Sequence, residues 1–401
     1  MRILVLDDDA FALRLVRVQL EQLGFTDVTT HEHPREALAR LEADVAAADV
    51  ILLDLQMPEI DGIEFLRHLA RLRFAGGVIL VSGEDERVLH TAMTLGKAHK
   101  LDLRGALHKP ITPEQLRTLL GAAAARTSGG KRAIKTYPAD RLREAIHGGE
   151  LVNFYQPKIE FATGRIAGVE ALVRWQHPED GLVFPDAFIG VAEEHELIDD
   201  LTSAVMLAAI AKARQWQDAG LDLHVGVNIS MDNLESLDFP DFVAGAIAAA
   251  GIPPSTLVLE VTESRLMKNA LSALDILTRL RLKHVGLSID DFGTGHSSLA
   301  QLRDIPFDEL KIDRGFVHQS GSDASRRAIV EGSLAMARHL GLRTVAEGVE
   351  DRDDWDQLRT LGCTLAQGYF ISKPLAADAL LKFLDQWADQ RARLGLYPDA
   401  S

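Results

Sequence analysis

Short apolar runs alternate along this chain with longer stretches in which apolar residues recur every three or four positions. In the first third the runs lie at 2–6, 50–53, 78–81 and 105–107, with a weaker one at 27–30, and each reads as a buried strand. The stretches 10–23, 34–43, 62–72, 86–95 and 112–125 carry the period of amphipathic helices. Alternating strands and helices predict an α/β domain with a doubly wound parallel sheet covered on both faces. Ligands of such a sheet bind at the carboxyl ends of its strands.

The remainder alternates too, with candidate strands at 151–160, 166–175, 224–230, 257–263, 285–291, 309–313, 344–349 and 368–371. Eight strands with helical patterns between most of them predict a TIM-like (β/α)8 barrel. Only Ala162-Thr163-Gly164 separates the first two. A turn that short makes a hairpin, so one barrel strand is expected to run antiparallel.

Between the halves, residues 121–135 read GAAAARTSGGKRAIK, with Arg126, Lys131, Arg132 and Lys135 and no acidic residue. This looks like a helix end followed by a flexible basic linker. The predicted organisation is a domain at 1–124, a linker at 125–136 and a second domain at 137–395.

Composition narrows the function classes. The 401 residues carry 43 Lys and Arg against 59 Asp and Glu, a formal net charge of −16 at pH 7. That balance argues against DNA or anionic lipid as a partner. The single Cys363 excludes an intramolecular disulfide framework and suits a reducing compartment. The apolar run 3–6 is too short for a signal peptide and is followed by three aspartates. The apolar stretch 242–252 is well short of the ~20 residues of a membrane span. A cytoplasmic protein without a membrane span is expected.

Chemistry gathers at the strand ends. Asp7 and Asp8 end the first predicted strand, Asp54 the third and Ser82 the fourth, and Lys109-Pro110 follows the fifth. Three carboxylates at one sheet edge call for a cation, and oxygen ligands suit Mg²⁺. Lys109 and the Ser82 hydroxyl could hold an incoming phosphoryl group. The runs LVLDDD at 4–9, LLDLQMPEIDG at 52–62 and HKP at 108–110 resemble the receiver domain of response regulators. The resemblance implies a flavodoxin-like fold, Asp54 as phosphoacceptor, and one Mg²⁺ held by Asp7, Asp8, Asp54 and the Gln56 carbonyl. It also implies phosphoryl contacts from Ser82 and Lys109, and a sensor histidine kinase as donor. Three residues before Lys109, where receivers usually place Tyr or Phe, stands Ala106. The usual hydroxyl–aromatic switch is therefore not expected here.

In the second domain Glu170, Asn228, Glu260, Asp290, Asp291, Lys311, Asp313, Glu347 and Gln367 lie at or near the ends of separate predicted strands. Polar groups converging on the carboxyl rim of a barrel read as catalytic. Hard oxygen ligands without a His or Cys cluster favour Mg²⁺ or Mn²⁺ over zinc. Adjacent Asp290 and Asp291 suit a pair of metal ions acting on a phosphodiester, with Lys311 orienting water. Taken singly, each residue has a plainer reading. Asn228 or Glu260 could cap a helix, Arg174 could sit in a surface ion pair, and Trp175, Phe292 and Phe370 could be core. His177, His195, His284 and His296 lack metal-ligand spacing, and Cys363 reads as a buried apolar residue.

YQP at 155–157, EALVRW at 170–175, NIS at 228–230, EVTES at 260–264, DDFGTG at 290–295, LKID at 310–313, EGVE at 347–350 and QGYFISKP at 367–374 together resemble the EAL family. That family hydrolyses cyclic di-GMP to linear pGpG. By resemblance Glu170, Asn228, Glu260 and Asp290 would hold one metal, and Asp290, Asp291 and Glu347 a second. Lys311 would sit on the attacking water. Gln156, Leu172, Arg174 and Gln367 would contact substrate. Glu263 would brace the loop 291–306, and Asp313 would support the second-metal side. The whole is expected to be a phosphorylation-controlled phosphodiesterase and a homo-oligomer, dimer or tetramer. The alternatives are a catalytically silent cyclic di-GMP receptor and a metal-dependent hydrolase of another phosphodiester.

Overall fold

The structure is a computed structural model that describes the chain except residues 84–85, 129–134, 136, 231, 263–269, 294–301, 303, 395 and 397–401. The chain divides into two compact units, Met1–Ala133 and Ile134–Ser401.

The first unit holds β1 (Ile3–Leu6), β2 (Val28–His31), β3 (Val50–Asp54), β4 (Gly77–Ser82) and β5 (Asp102–His108) in one parallel sheet, ordered β2-β1-β3-β4-β5. The continuous apolar runs form its centre because both faces are covered. Leu4, Leu6, Ile51, Leu53, Val78 and Leu80 face one core with Phe65 and Leu69. Ile3, Val5, Val50, Leu52, Ile79 and Val81 face the other with Leu13, Leu20 and Leu116. Strand order reverses between β1 and β3, so the crevice at their carboxyl ends is where ligands of such sheets bind.

β5 is longer than the predicted 105–107. Its added residues include Asp102 and Arg104, an ion pair at 3.1 Å. The Arg104 side chain crosses Gly77 of β4, where a Cβ would come within 1.9 Å of Nε. A glycine on the neighbouring strand thus makes room for charge on an edge strand, which an apolar pattern cannot reveal.

The second unit is a closed eight-stranded barrel. β6 (Leu151–Glu160), β7 (Ile166–His177), β9 (His224–Asn228), β10 (Leu257–Thr262), β11 (Gly286–Phe292), β12 (Glu309–Ile312), β13 (Arg343–Ala346) and β14 (Leu365–Ala366) pair in the order β6-β14-β13-β12-β11-β10-β9-β7, and β6 pairs with β7 to close the ring. β6 runs antiparallel to both neighbours, and the other barrel pairings are parallel. Two short strands, β8 (Gly181–Val183) and β15 (Leu375–Ala376), add to β7 and β6. Among the described residues no helix is long and apolar enough to cross a membrane.

One sequence expectation is corrected. The last barrel strand is Leu365–Ala366 and not residues 368–371, which form a turn. Gly368 packs against the backbone of Val349, where a Cβ would come within 2.1 Å of the carbonyl oxygen. The Phe370 amide donates to the Val349 carbonyl at 3.0 Å. The apolar residues after Gln367 therefore serve loop-to-loop packing rather than a ladder.

Candidate functional site

At the carboxyl edge of the first sheet, buried Asp7 and Asp54 lie beside exposed Asp8, and one oxygen from each falls within 4.8 Å of the others. Lys109 reaches across from the end of β5, with Nζ 2.7 Å from Asp7 Oδ2 and 2.8 Å from Asp54 Oδ2. Burial pushes the Asp54 carboxyl above its ordinary value even though Lys109 donates to it. Burial works against the Lys109 ammonium, but its bonds to Asp54 and Asp7 hold its pKa up. Ser82 is fully buried at the end of β4, and its carbonyl accepts from the Lys109 amide at 2.9 Å. Asp8, Asp54, Gln56 and Lys109 line a shared crevice. Ala106 is exposed on β5.

The barrel gathers its polar residues by strand alternation. Gln156 of β6 stands opposite Glu170 of β7, and Asn228 of β9 stands opposite Glu260 of β10. Glu170 links β9 to the residue that follows β14, the other neighbour of β6. Its Oε1 accepts from Asn228 Nδ2 at 2.9 Å and its Oε2 from Gln367 Nε2 at 2.6 Å. Gln367 also donates to Gln156 Oε1 at 3.1 Å.

Consecutive strand residues point to opposite faces, so Asp290 and Asp291 should not both face one ligand. The register of β11 slips between Ile289 and Phe292, and Asp291 takes the left-handed conformation with φ 54°. Such an irregularity re-aims a side chain. Here it brings one oxygen each of Asp290, Asp291 and Glu347 within 4.8 Å of one another.

Lys311, fully buried on β12, sits among the acids. Its Nζ is 2.6 Å from Glu260, 2.7 Å from Glu347, 3.2 Å from Asp290 and 3.5 Å from Glu170. Behind it, buried Lys158 of β6 bonds Glu260 and Glu309. Two ammonium groups thus face five carboxylates. Burial pushes Glu170 up, and pushes Glu347 well above the carboxylate range, against the pull of Lys311. Burial also works against ionised Glu260, but Lys158 and Lys311 together bring it down to about 2. The acid excess and the oxygen-only donor set suit a hard divalent cation.

The described cavity at this rim measures about 240 Å³ and is lined by Gln156, Glu170, Leu172, Asp290, Lys311, Glu347 and Gln367, with Tyr369 at its edge. Leu172 also borders a second, largely apolar cavity of about 250 Å³ that reaches Asn228. Arg174 is buried over the rings of Phe184 and Phe154, 5.0 and 5.8 Å from their centroids, and burial lowers its pKa. Asp313 accepts from the Gly315 amide at 2.8 Å and caps the turn that follows β12. Glu263 lies outside the described residues, as does much of the loop 291–306.

Lys158 and Glu309 belong to this network but are not among the candidates drawn from the sequence. A signal was present: each lies two residues from a candidate, Gln156 and Lys311, and so shares its face. Nor is Asp354 among them, which accepts from the amides of Gln319 and Glu350 at 3.0 and 3.1 Å and pairs with His318 Nδ1 at 2.9 Å. These bonds tie the segment after β12 to the one that carries Glu347.

Comparison with known proteins agrees with this layout. Residues 3–121 match the response regulator receiver domain, and residues 139–374 match the EAL domain. Cyclic di-GMP phosphodiesterase RocR of Pseudomonas aeruginosa is 31% identical over 386 residues, covering 96% of this chain and 98% of that protein. The bifunctional diguanylate cyclase/cyclic di-GMP phosphodiesterase MucR of the same organism is 42% identical over 241 residues, 60% of this chain and 35% of that one. The solved MucR phosphodiesterase in complex with cyclic di-GMP superposes with a TM-score of 0.58 at 42% identity, covering 60% of this chain and 98% of that one. The EAL enzyme Bd1971 bound to cAMP and cyclic di-GMP gives 0.59 at 31% identity, covering 69% and 77%.

Proposed function

The chain belongs to the EAL family and carries a receiver domain ahead of its EAL domain; on that premise we propose a response regulator whose barrel hydrolyses cyclic di-GMP to pGpG with two divalent cations, under control of Asp54 phosphorylation. The observation that carries the reading is the set of ionisable groups around Lys311, with Asp290, Asp291 and Glu347 grouped beside it. Glu170, Asn228, Glu260 and Asp290 would hold one Mg²⁺ or Mn²⁺, and Asp290, Asp291 and Glu347 the other. When bound, these ions supply Lewis-acid polarisation of the phosphodiester.

The protein's own groups do the rest. Lys311 orients the attacking water and balances charge that develops on the phosphoryl oxygens. Water adds to phosphorus, the bond to the 3′ oxygen breaks, and that oxygen leaves with a proton as the new 3′ hydroxyl. Arg174, with a guanidinium suited to phosphate, anchors the substrate. Gln156 and Gln367 position its polar edge, and Leu172 with the apolar cavity beside it seats a base. Asp313 holds the turn after Lys311. Glu263 is kept as the anchor of the loop after Asp291.

In the receiver, Asp7, Asp8 and Asp54 would hold one Mg²⁺, and Lys109 and Ser82 would take the phosphoryl oxygens delivered by a histidine kinase. Ala106 offers no ring to move, so the response runs through Ser82 and Lys109. The domain limits 1–124 and 137–395, with the basic linker between, and assembly as a dimer or tetramer complete the proposal.

Two outcomes check it. Cyclic di-GMP is expected to be hydrolysed, and excess 3′,5′-cyclic GMP or cyclic AMP not to slow that hydrolysis; equal hydrolysis of all three would point to a general phosphodiesterase. Tight binding without turnover would identify a receptor instead. Beryllofluoride with Mg²⁺ is expected to change kcat/KM of the full chain and to leave Asp54→Asn unchanged. The same rate in all four conditions would end the coupling proposal.

A further inference from the structure

The buried pair Lys158–Glu309 lies below the cavity and has no part in the scheme above. Lys158 Nζ is 2.8 Å from Glu260 Oε1 and 3.0 Å from Glu309 Oε1, and all three side chains are buried. Glu309 Oε1 also accepts from Ser288 Oγ at 3.2 Å. The other oxygen of Glu260 faces Lys311, which lines the cavity. Lys158 lines a separate small pocket with Gly226 and Arg343. The two Glu260 oxygens are thus divided between a lysine on the cavity side and a lysine behind it.

The neighbouring strand is shaped for this arrangement. Gly226 of β9 has an ordinary backbone, yet a Cβ there would come within 2.0 Å of Glu260 Oε1 and 3.4 Å of Lys158 Nζ. A side chain at 226 would therefore push Glu260 off its bond to Lys158.

We propose that Lys158, held by Glu309, is a positioning residue that fixes the rotation of the Glu260 carboxylate and so presents its second oxygen for cation binding. This rests on reading Glu260 as a cation ligand. A group bonded behind a metal ligand commonly tunes affinity by 10–100-fold when removed. Two views of Lys158 give opposite signs. As a mere nearby positive charge it repels a divalent cation, and its removal tightens binding. As a positioning residue, its removal weakens binding.

The test is Mn²⁺ titration of the full chain, with free Mn²⁺ read by electron paramagnetic resonance. An Asp8→Ala background keeps the receiver site out of the signal, and thermal unfolding confirms that each variant is folded. Lys158→Met is expected to raise the dissociation constant by about 10–100-fold. Gly226→Ala keeps Lys158 and is expected to act in the same direction, so it serves if Lys158→Met does not fold. Adding Lys158→Met to Glu260→Gln is expected to cost little more than Glu260→Gln alone, since the lysine acts through that carboxylate. Mn²⁺ bound as tightly or more tightly by folded Lys158→Met, or by folded Gly226→Ala, overturns the assignment, as do additive losses in the double variant. No Mn²⁺ bound by the parent protein, or no change on Glu260→Gln, overturns the cation-ligand reading and the assignment with it.

Discussion

Glu170→Gln is expected to lower kcat/KM for cyclic di-GMP by about 10³-fold or more, a loss of at least about 4 kcal/mol in transition-state stabilisation. The substitution keeps the shape and removes the charge. Glu170 accepts from Asn228 on one oxygen and from Gln367 on the other. A glutamine can offer an acceptor to only one of them and turns a second N–H donor on the other. One change therefore removes a proposed cation ligand and disturbs Gln367, which also holds Gln156. Steady-state kinetics across a Mn²⁺ series measures the effect. A variant within tenfold of the parent at every concentration would remove Glu170 from the mechanism. Receiver phosphorylation by a small phosphodonor should be unchanged, which checks that the chain is intact.

Lys311→Met is expected to abolish turnover and to make stability depend on divalent cation. The Lys311 ammonium touches Glu170, Glu260, Asp290 and Glu347 while itself fully buried. Removing one partner of a buried ion pair typically costs about 3–5 kcal/mol, because the other charges are left uncompensated. The barrel transition of the variant should therefore fall strongly in chelator. Mn²⁺ should restore more stability to it than to the parent, since binding only to the folded form stabilises by mass action. Activity should stay lost even where stability returns, which separates the lysine's part in the reaction from its part in the fold. Scanning calorimetry in chelator and in Mn²⁺, paired with the activity assay, reads both. A variant as stable in chelator as the parent contradicts the charge balance described for the site.

Much of this architecture is visible in the apolar pattern because its strands are buried on both sides. β1, β3 and β4 show as unbroken runs ended by Asp7, Asp54 and Ser82, and the short turn at 162–164 marks the antiparallel strand of the barrel, β6. The candidate site residues are visible for the same reason: in buried strands otherwise filled largely by apolar residues, a Glu, Asp or Lys stands out, at the end of β3 and inside β7 and β10 alike. Three features stay hidden because they depend on partners far away in the chain. Asp291 reaches the cluster only through the slipped register of β11. Lys158 can be buried only because Glu260 and Glu309 come from two other strands. The turn at 368–371 looks like a strand until Gly368 is seen against Val349. Local pattern reports which face a residue takes, and only the closed barrel reports what meets it there.

The central claim is hydrolysis of cyclic di-GMP at this rim, and product analysis in oxygen-18 water tests it most directly. The purified full chain with Mg²⁺ or Mn²⁺ is expected to release pGpG carrying one oxygen-18 in its 5′ phosphate, and Glu170→Gln is expected to release none. Cyclic di-GMP recovered intact from folded, cation-loaded protein, or the label found anywhere but that phosphate, would contradict it.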